Sequence, residues 1–279
     1  MAFEHPSRFK DHPLGPTVVG YMLAERRTRR RPSTTHHPLP LAICIQFWEG
    51  DQAEALDLAR LLADLEPLPR TDVALVFARR FDVPETPELR AAILHCEQKF
   101  PMLSFASERQ ATGHPDGCFG LWAGTVDHMF REWSEGRSPW QHVFTAEADG
   151  APMRWDWIDR LKAAHARTLA ENRSVTGPRC FAGLDGKAHV NGSLVMDLLC
   201  WRDRPELRTC PSGEAWDVFH GETLLREAGL WQPIYNMYGA HDLSESVYHT
   251  MGREHAWIAS VKDGSSQRWA RKLVTPEMP

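Results

Sequence analysis

No stretch of this sequence approaches the roughly 18 consecutive apolar residues that a membrane-spanning helix requires, and residues 1–10 lack the apolar core of a secretory signal. Both absences predict a soluble, cytoplasmic protein without a membrane span. The six cysteines (Cys44, Cys96, Cys118, Cys180, Cys200, Cys210) include no Cys-x-x-Cys pair. That excludes a zinc knuckle and indicates no disulfide framework; several of them stand among apolar residues, as buried thiols do. There is no internal repeat, and a net charge of −5 gives the chain no overall attraction for a phosphate backbone. At 279 residues the chain suffices for one large α/β domain or two small ones.

What the chain does have is tryptophan. Eleven residues of this type predict bulky core packing, with aromatic-lined clefts as their other use. One local charge run also departs from the average: Arg26, Arg27, Arg29, Arg30 and Arg31 are followed by Pro32 and a Ser/Thr/His/Pro-rich stretch to Pro40. Such a run reads either as a solvated arm or as a contact with an anionic polymer. Prolines at 6, 13, 16, 32, 38 and 40 break any long element. Residues 1–40 are therefore predicted to form an N-terminal extension carrying the basic arm, and residues 41–279 the folded domain.

Residues 41–48 are a short apolar, β-branched run between Pro40 and Gly50, which reads as a buried strand. Residues 51–65 then place Ala55, Leu58, Ala59, Leu62 and Leu65 at helical spacing until Pro67 ends the pattern, and residues 72–78 form a second buried strand. Strand, helix and strand in this order make a βαβ unit, whose ligands gather at the carboxyl ends of the strands. Trp48, Asp51, Arg79 and Asp82 then share one rim. Farther on, the pattern predicts a helix over 87–99, with Leu89, Ala92, Ile93 and Cys96 inward, a strand over 101–105, a turn at 114–117 and a helix over 121–133. A strand over 142–146 precedes a long helix from Pro152 to about Asn172, a strand pair within 175–191, and helices over 193–201 and 215–229. The predicted class is α/β, a mixed Rossmann-like sheet flanked by helices.

The strand over 142–146 runs straight into Glu147-Ala148-Asp149-Gly150. Two carboxylates at i and i+2 of an extended chain project to one side, here where a buried strand leaves the sheet. A divalent cation bridging two phosphates wants hard oxygen ligands of this kind. The same residues would also serve as a helix cap and a solvated strand end.

The run Val143-Phe-Thr-Ala-Glu-Ala-Asp149-Gly-Ala-Pro152-Met-Arg-Trp155-Asp-Trp157 resembles the metal-binding segment of GT-A-fold glycosyltransferases. There an apolar strand ends in an acidic DxD-type motif followed by proline and tryptophan; this chain has Glu147 at the first acidic position. Three more segments resemble the family in order: His189-Val-Asn191-Gly192-Ser193 the acceptor-side strand and turn, Ala215-Trp-Asp217-Val-Phe the acidic segment near the acceptor, and Ser246-Val-Tyr-His249 the late histidine strand. The resemblance implies a single GT-A-like domain that uses Mn²⁺ or Mg²⁺ and a nucleoside diphosphate sugar, of UDP type. Asp149 would ligate the metal, Glu147 the ribose or a metal-bound water, and His249, with His241 competing, would be the third protein ligand. Asp217 would be general base of an inverting transfer, with Glu214 its neighbouring alternative; a retaining transfer needs no such base. Gln46, Phe47, Trp48 and Asp51, with Arg79 at the same rim, would hold the nucleotide. Gly117 and Trp122 belong to a loop that looks like the one approaching the sugar, and Lys262, with Arg268, Arg271 and Lys272, offers cations for the diphosphate.

Two rivals remain at this level. A nucleotidyltransferase of related fold also needs a divalent cation, but its glycine-rich basic loop is replaced here by Trp48-Glu-Gly-Asp51. A nucleic-acid-binding protein would use the Arg26–Arg31 arm. The glycosyltransferase reading and the nucleic-acid-binding arm combine in an enzyme that glycosylates modified DNA bases, as some phage enzymes do. A glycan, a small molecule and such a base are all acceptors the sequence allows, and it does not fix the oligomeric state.

Overall fold

The computed structural model describes residues 39–182, 187–230, 234–236, 244, 258–260 and 265–274. The Arg26–Arg31 arm, His241, His249 and Lys262 lie outside them. Strand β1 (Leu41–Phe47) leads through a 3₁₀ turn (Glu49–Asp51) into α1 (Gln52–Leu65), then β2 (Val73–Arg79), α2 (Pro87–Cys96), β3 (Met102–Ala106) and α3 (Asp116–Ser134). There follow β4 (His142–Glu147), β5 (Gly150–Pro152), α4 (Trp157–Ala170), β6 (Val175–Gly177), the hairpin β7 (Arg179–Ala182) and β8 (Lys187–Val190), β9 (Val195–Asp197) and α5 (Leu198–Asp203). Two short helices, α6 (Trp216–Phe219) and α7 (Gly221–Glu227), precede β10 (Ala228–Leu230), β11 (Ile234–Asn236), β12 (Ile258–Ser260) and α8 (Ser265–Val274).

The main sheet has seven strands in the order β10-β6-β9-β4-β1-β2-β3. β1 pairs in parallel with both β2 and β4, while β9 runs antiparallel between β4 and β6. The chain thus winds one way from β1 to β2 and β3 and returns to the other side as β4. That reversal opens a crevice at the carboxyl ends of β1 and β4.

Both sheet faces are covered, so β1, β2 and β4 are near-continuous apolar runs rather than alternating ones. Leu41, Ile43, Ile45 and Phe47 of β1 join Val73, Leu75 and Phe77 of β2 in a core completed by α1, α2 and α4. The opposite face carries the small residues Ala42, Cys44, Ala74 and Ala78, and there Trp122 and Trp201 fill the space against α3 and α5. Bulky core packing accounts for Trp122, Trp140, Trp157, Trp201 and Trp216, all buried, whereas Trp48 is 47% exposed.

Four expected elements differ. Pro152 does not start a helix: Gly150–Pro152 pairs antiparallel with Ile258–Ser260, a partner more than 100 residues away, and the helix begins at Trp157. The helix expected over 193–201 begins instead with β9, because Leu194-Val-Met-Asp-Leu-Leu is a short apolar run compatible with either period; Asp197 then caps α5 by accepting from the Leu199 N–H at 2.9 Å. The expected turn at Gly117 lies inside α3, which starts at Asp116 rather than Leu121. The helix expected over 215–229 is divided into α6, α7 and β10.

Beneath β4 two imidazoles are packed together. His165, fully buried, meets Thr176 Oγ1 at 2.8 Å through Nδ1 and His142 Nδ1 at 3.2 Å through Nε2. Burial, then the neighbouring His142, pushes His165 down to about 3. An unfolded histidine titrates near 6.5, so below that pH the unfolded chain takes up a proton that the folded one refuses. The site's contribution is complete above pH ~6.5 and is lost as pH falls toward 3. Urea unfolding should show on the order of 2–3 kcal/mol less stability at pH 4.5 than at pH 7 from this site, and His165→Gln should flatten that slope.

Candidate active site

The carboxyl rim of β1 and β4 brings several predicted residues together. The parallel register sets Gln46 opposite Glu147. Gln46 Nε2 is buried and has no hydrogen-bond partner among the described residues. After Phe47 the chain turns, and the Trp48 N–H donates to Asp51 Oδ1 at 2.7 Å. Gly50 leaves room for the indole: a Cβ on it would stand 2.3 Å from Trp48 Cζ2, so a larger residue would displace the ring. The indole therefore lies against bare backbone, with the Arg80 guanidinium 5.3 Å from its centroid. Arg80 itself is held by Asp82 at 2.6 and 2.7 Å. Arg79, at the end of β2, donates to the Val83 carbonyl at 2.8 Å and keeps its Nε buried without a described partner.

Glu147 is the last residue of β4, and Ala148-Asp149 form a tight turn into β5. The two carboxylates are thus separated by a turn, not arrayed along an extended strand. The charge of Asp149 reaches the loop after β1: the Asp51 carboxyl is lifted to about 6 by burial first of all, then by Glu54 and Asp149. The turn is tied down by α8, where Gln267 Nε2 donates to the Ala148 carbonyl at 2.8 Å and Ser266 Oγ to the Asp149 carbonyl at 3.2 Å.

Glu147 faces the other wall. A Cβ on Gly192 would lie 4.0 Å from Glu147 Oε1 and 3.1 Å from Trp216 Cζ2, so Gly192 is the spacer between the acidic turn and α6. Trp216 stacks on Trp122 with centroids 3.7 Å apart and planes at 17°, which fixes α6 and with it Asp217. His189 of β8 completes this wall, its Nε2 3.8 Å from Asp217 Oδ2. Cys180, opposite His189 in the hairpin, has its thiol raised to about 11 by burial and then by Asp217 and Glu147. Glu147, Asp217, His189 and Cys180 therefore share one neighbourhood.

Other predicted residues stand elsewhere. Phe47 is buried and packs edge-on against Phe77 at 6.2 Å, and Trp122 is buried under Trp216, so neither ring presents an exposed face. Gly117 is buried within α3. Glu214 is exposed on the loop before α6. Arg271 pairs with Asp57 at 2.6 Å, and Arg268 and Lys272 flank the Trp269 ring. His189, Cys180 and Trp216 carry no assigned role in the sequence reading. The signal that points to His189 and Cys180 is the strand pair expected within 175–191, whose β7–β8 hairpin sets the two residues opposite each other. Among the described residues no group of three or more His, Cys, Asp or Glu side chains is arranged around a metal position.

No family model matches the sequence, and no curated protein does. The fold, in contrast, is shared with solved structures. The galactosyltransferase LgtC, in complex with donor and acceptor sugar analogs, aligns over 85% of this chain and 97% of its own with a TM-score of 0.52 at 10% identity. The bifunctional glycosyltransferase WbbM aligns over 89% of this chain at 8% identity and a TM-score of 0.49, and this chain spans about half of it, 51%. The mannosyltransferase PcManGT from Pyrobaculum calidifontis, in complex with GDP-Man and Mn²⁺, covers 76% of this chain and 61% of its own at 13% identity, with a TM-score of 0.42. The chain has the GT-A fold of glycosyltransferases: a mixed seven-stranded sheet flanked by helices.

The Gly192 spacer yields a direct test. Gly192→Val should push against Trp216, costing about 1–3 kcal/mol by overpacking and weakening the near-ultraviolet circular dichroism of the Trp122–Trp216 stack. Urea unfolding and the aromatic spectrum check both; an unchanged spectrum would show that Gly192 does not set the position of α6.

Proposed function

We propose that this protein is a metal-dependent glycosyltransferase that moves a sugar from a nucleoside diphosphate donor, of UDP type, to an acceptor hydroxyl. The observation that carries this reading is the acidic Glu147–Asp149 turn at the carboxyl ends of adjacent parallel strands, with Trp48 and Asp51 on one side and Asp217 and His189 on the other. On the GT-A fold this is a crevice with a donor wall and an acceptor wall.

The carboxylates of Glu147 and Asp149 are hard oxygen donors of the kind Mn²⁺ or Mg²⁺ takes. Two carboxylates leave β4, and Asp51, whose carboxyl is raised by burial first and then by Glu54 and Asp149, adds a third beside them. Asp149 and Glu147 would hold the ion, with His249 as a further ligand. When bound, it supplies charge neutralisation for the departing diphosphate. The chain's own contributions are separate. Trp48 presents exposed indole surface for a nucleobase, and Gln46 and Arg79 have unused N–H donors at the same rim for ribose or phosphate oxygens. Asp217 accepts the proton of the attacking hydroxyl in an inverting transfer, and His189 orients that carboxylate.

Asp149→Ala should lose at least about 100-fold in transfer rate, the scale of removing one electrostatic stabiliser, while its circular dichroism stays native. Chelation should abolish turnover of the unaltered protein and added Mn²⁺ restore it. Full activity of Asp149→Ala in metal-free buffer would refute the site. Asp217→Asn should lower kcat by about 10²–10⁴ and leave donor affinity intact. Release of nucleoside diphosphate separates this reaction from nucleotidyl transfer, which releases pyrophosphate.

A further inference from the structure

Ser and Gln side chains are mostly exposed in folded proteins, and where they are buried, hydrogen bonds hold them. Helix α8 opens on three such residues in a row: Ser265, Ser266 and Gln267 are all buried, while Arg268 and Arg271 of the same helix are exposed. The buried face packs on α1 and β5. We infer that Gln267, with Ser266, is the positioning device of the acidic turn: together they clamp the peptide planes on either side of Asp149 and tie them to the start of α1. The turn is thereby set before an ion arrives. This rests on the metal-dependent reading above and gives α8 a part in it.

Peptide units are rigid and planar, so the φ and ψ of a residue alone set the relation between the planes before and after it. Gln267 Nε2 donates to the Ala148 carbonyl at 2.8 Å, in the plane before Asp149. Ser266 Oγ donates to the Asp149 carbonyl at 3.2 Å, in the plane after it. With both planes held, the backbone of Asp149 is fixed, and with it the direction of its Cα–Cβ bond. Little slack remains on either side. A Cβ on Gly150 would lie 3.0 Å from the Glu147 carbonyl oxygen, and Gly150–Pro152 is then paired with Ile258–Ser260.

Gln267 Nε2 also donates to the Glu54 carbonyl in the first turn of α1, at 3.3 Å. An amide nitrogen carries two N–H groups, so Gln267 uses one on each acidic segment. Glu54 stands three residues after Asp51, whose carboxyl is raised by burial first, then by Glu54 and Asp149. The amide is therefore a strut between two segments whose like charges repel. Acidic groups held at a fixed separation form a preorganised cation site, whereas segments free to part must be drawn together on binding, which weakens it. Linkage makes the effect reciprocal: an ion that favours the clamped turn also stabilises the clamp.

Hydrogen–deuterium exchange and calorimetry on the full chain test this with Gln267→Met, which keeps the side-chain length and removes both donors, and with the milder Ser266→Ala. Without ligands, peptides spanning 147–152 should exchange at least about fivefold faster in Gln267→Met, with those spanning β2 unchanged. Titrated with Mn²⁺ in the presence of UDP, Gln267→Met should bind the ion about tenfold more weakly and Ser266→Ala about threefold, the scale of single hydrogen bonds. UDP and Mn²⁺ together should slow exchange over 265–274 in the unaltered protein. Unchanged exchange over 147–152 would remove the clamp. Faster exchange with unchanged Mn²⁺ affinity would leave Gln267 a purely structural residue and overturn the positioning role. If Gln267→Met does not fold, the Mn²⁺ affinity of Ser266→Ala and the protection of 265–274 decide, and failure of either overturns it. Absence of Mn²⁺ binding in the unaltered protein defeats the metal-dependent reading and the aiming of Asp149 with it; the unliganded exchange distinguishes that result from failure of the clamp.

Discussion

The arrangement depends on the pairing register of β1 with β4. Leu41 opposite His142 through Gln46 opposite Glu147 brings the two carboxyl ends level, and the Trp48–Asp51 loop and the acidic turn leave the sheet side by side. A one-residue slip in either strand would exchange its two faces. That exchange would be costly here because the faces are unlike: β1 and β2 put Ile43, Ile45, Leu75 and Phe77 toward α1, α2 and α4 and the smaller Ala42, Cys44, Ala74, Val76 and Ala78 toward the tryptophans of α3 and α5. The size asymmetry of the core therefore fixes the geometry of the rim, and large side chains of the buried layer determine where Glu147 emerges.

The distribution of ion pairs follows from the same sheet. At its amino end a dense network ties Asp72 to Arg70 and to the fully buried Lys162, with Arg70 reaching Asp159 at 2.7 Å. At the opposite end several described cations serve structural partners, Arg80 with Asp82 and Arg109 with Asp127. The crevice is left rich in carboxylates from Asp51, Glu147, Asp149 and Asp217. Such a site disfavours a bare diphosphate and favours one accompanied by a divalent cation, which makes metal and donor mutually dependent ligands in the proposed reaction.

Much of this was legible in the chain. The buried strands over 41–48, 72–78 and 142–146 were readable because strands covered on both faces are continuous apolar runs with clear turn signals at their ends. The acidic pair was readable because it directly follows such a run, but as an extended segment; the turn that separates Glu147 from Asp149 was not. The rest depended on partners distant in sequence. Gly150–Pro152 became a strand only through Ile258–Ser260, and residues 195–197 became a strand by lying between β4 and β6. The aromatics misled for a related reason: Phe47 and Trp122 stand beside predicted ligand loops in the sequence, yet they face inward, a distinction that burial and not spacing decides. His189 was visible in its motif, but its approach to Asp217 required the hairpin and α6 to be placed together.

Trp122 is nevertheless tied to the site, one step removed from the ligand. Its stack with Trp216 makes the position of Asp217 a consequence of core packing on α3, and Gly192 holds the gap between that stack and Glu147. The acceptor wall is thus a lever whose fulcrum is aromatic and buried. Burying that stack is favourable in its own right, so the carboxylate that would take the acceptor proton is positioned before any substrate arrives, and little binding energy need be spent on arranging it. The Trp48 side is built differently: the indole is exposed beside Gly50, and the Ala148-Asp149 turn accepts hydrogen bonds from Gln267 and Ser266 of α8. In the proposed reaction this difference would leave Asp217 aimed in advance by core packing and the exposed indole available to a nucleobase.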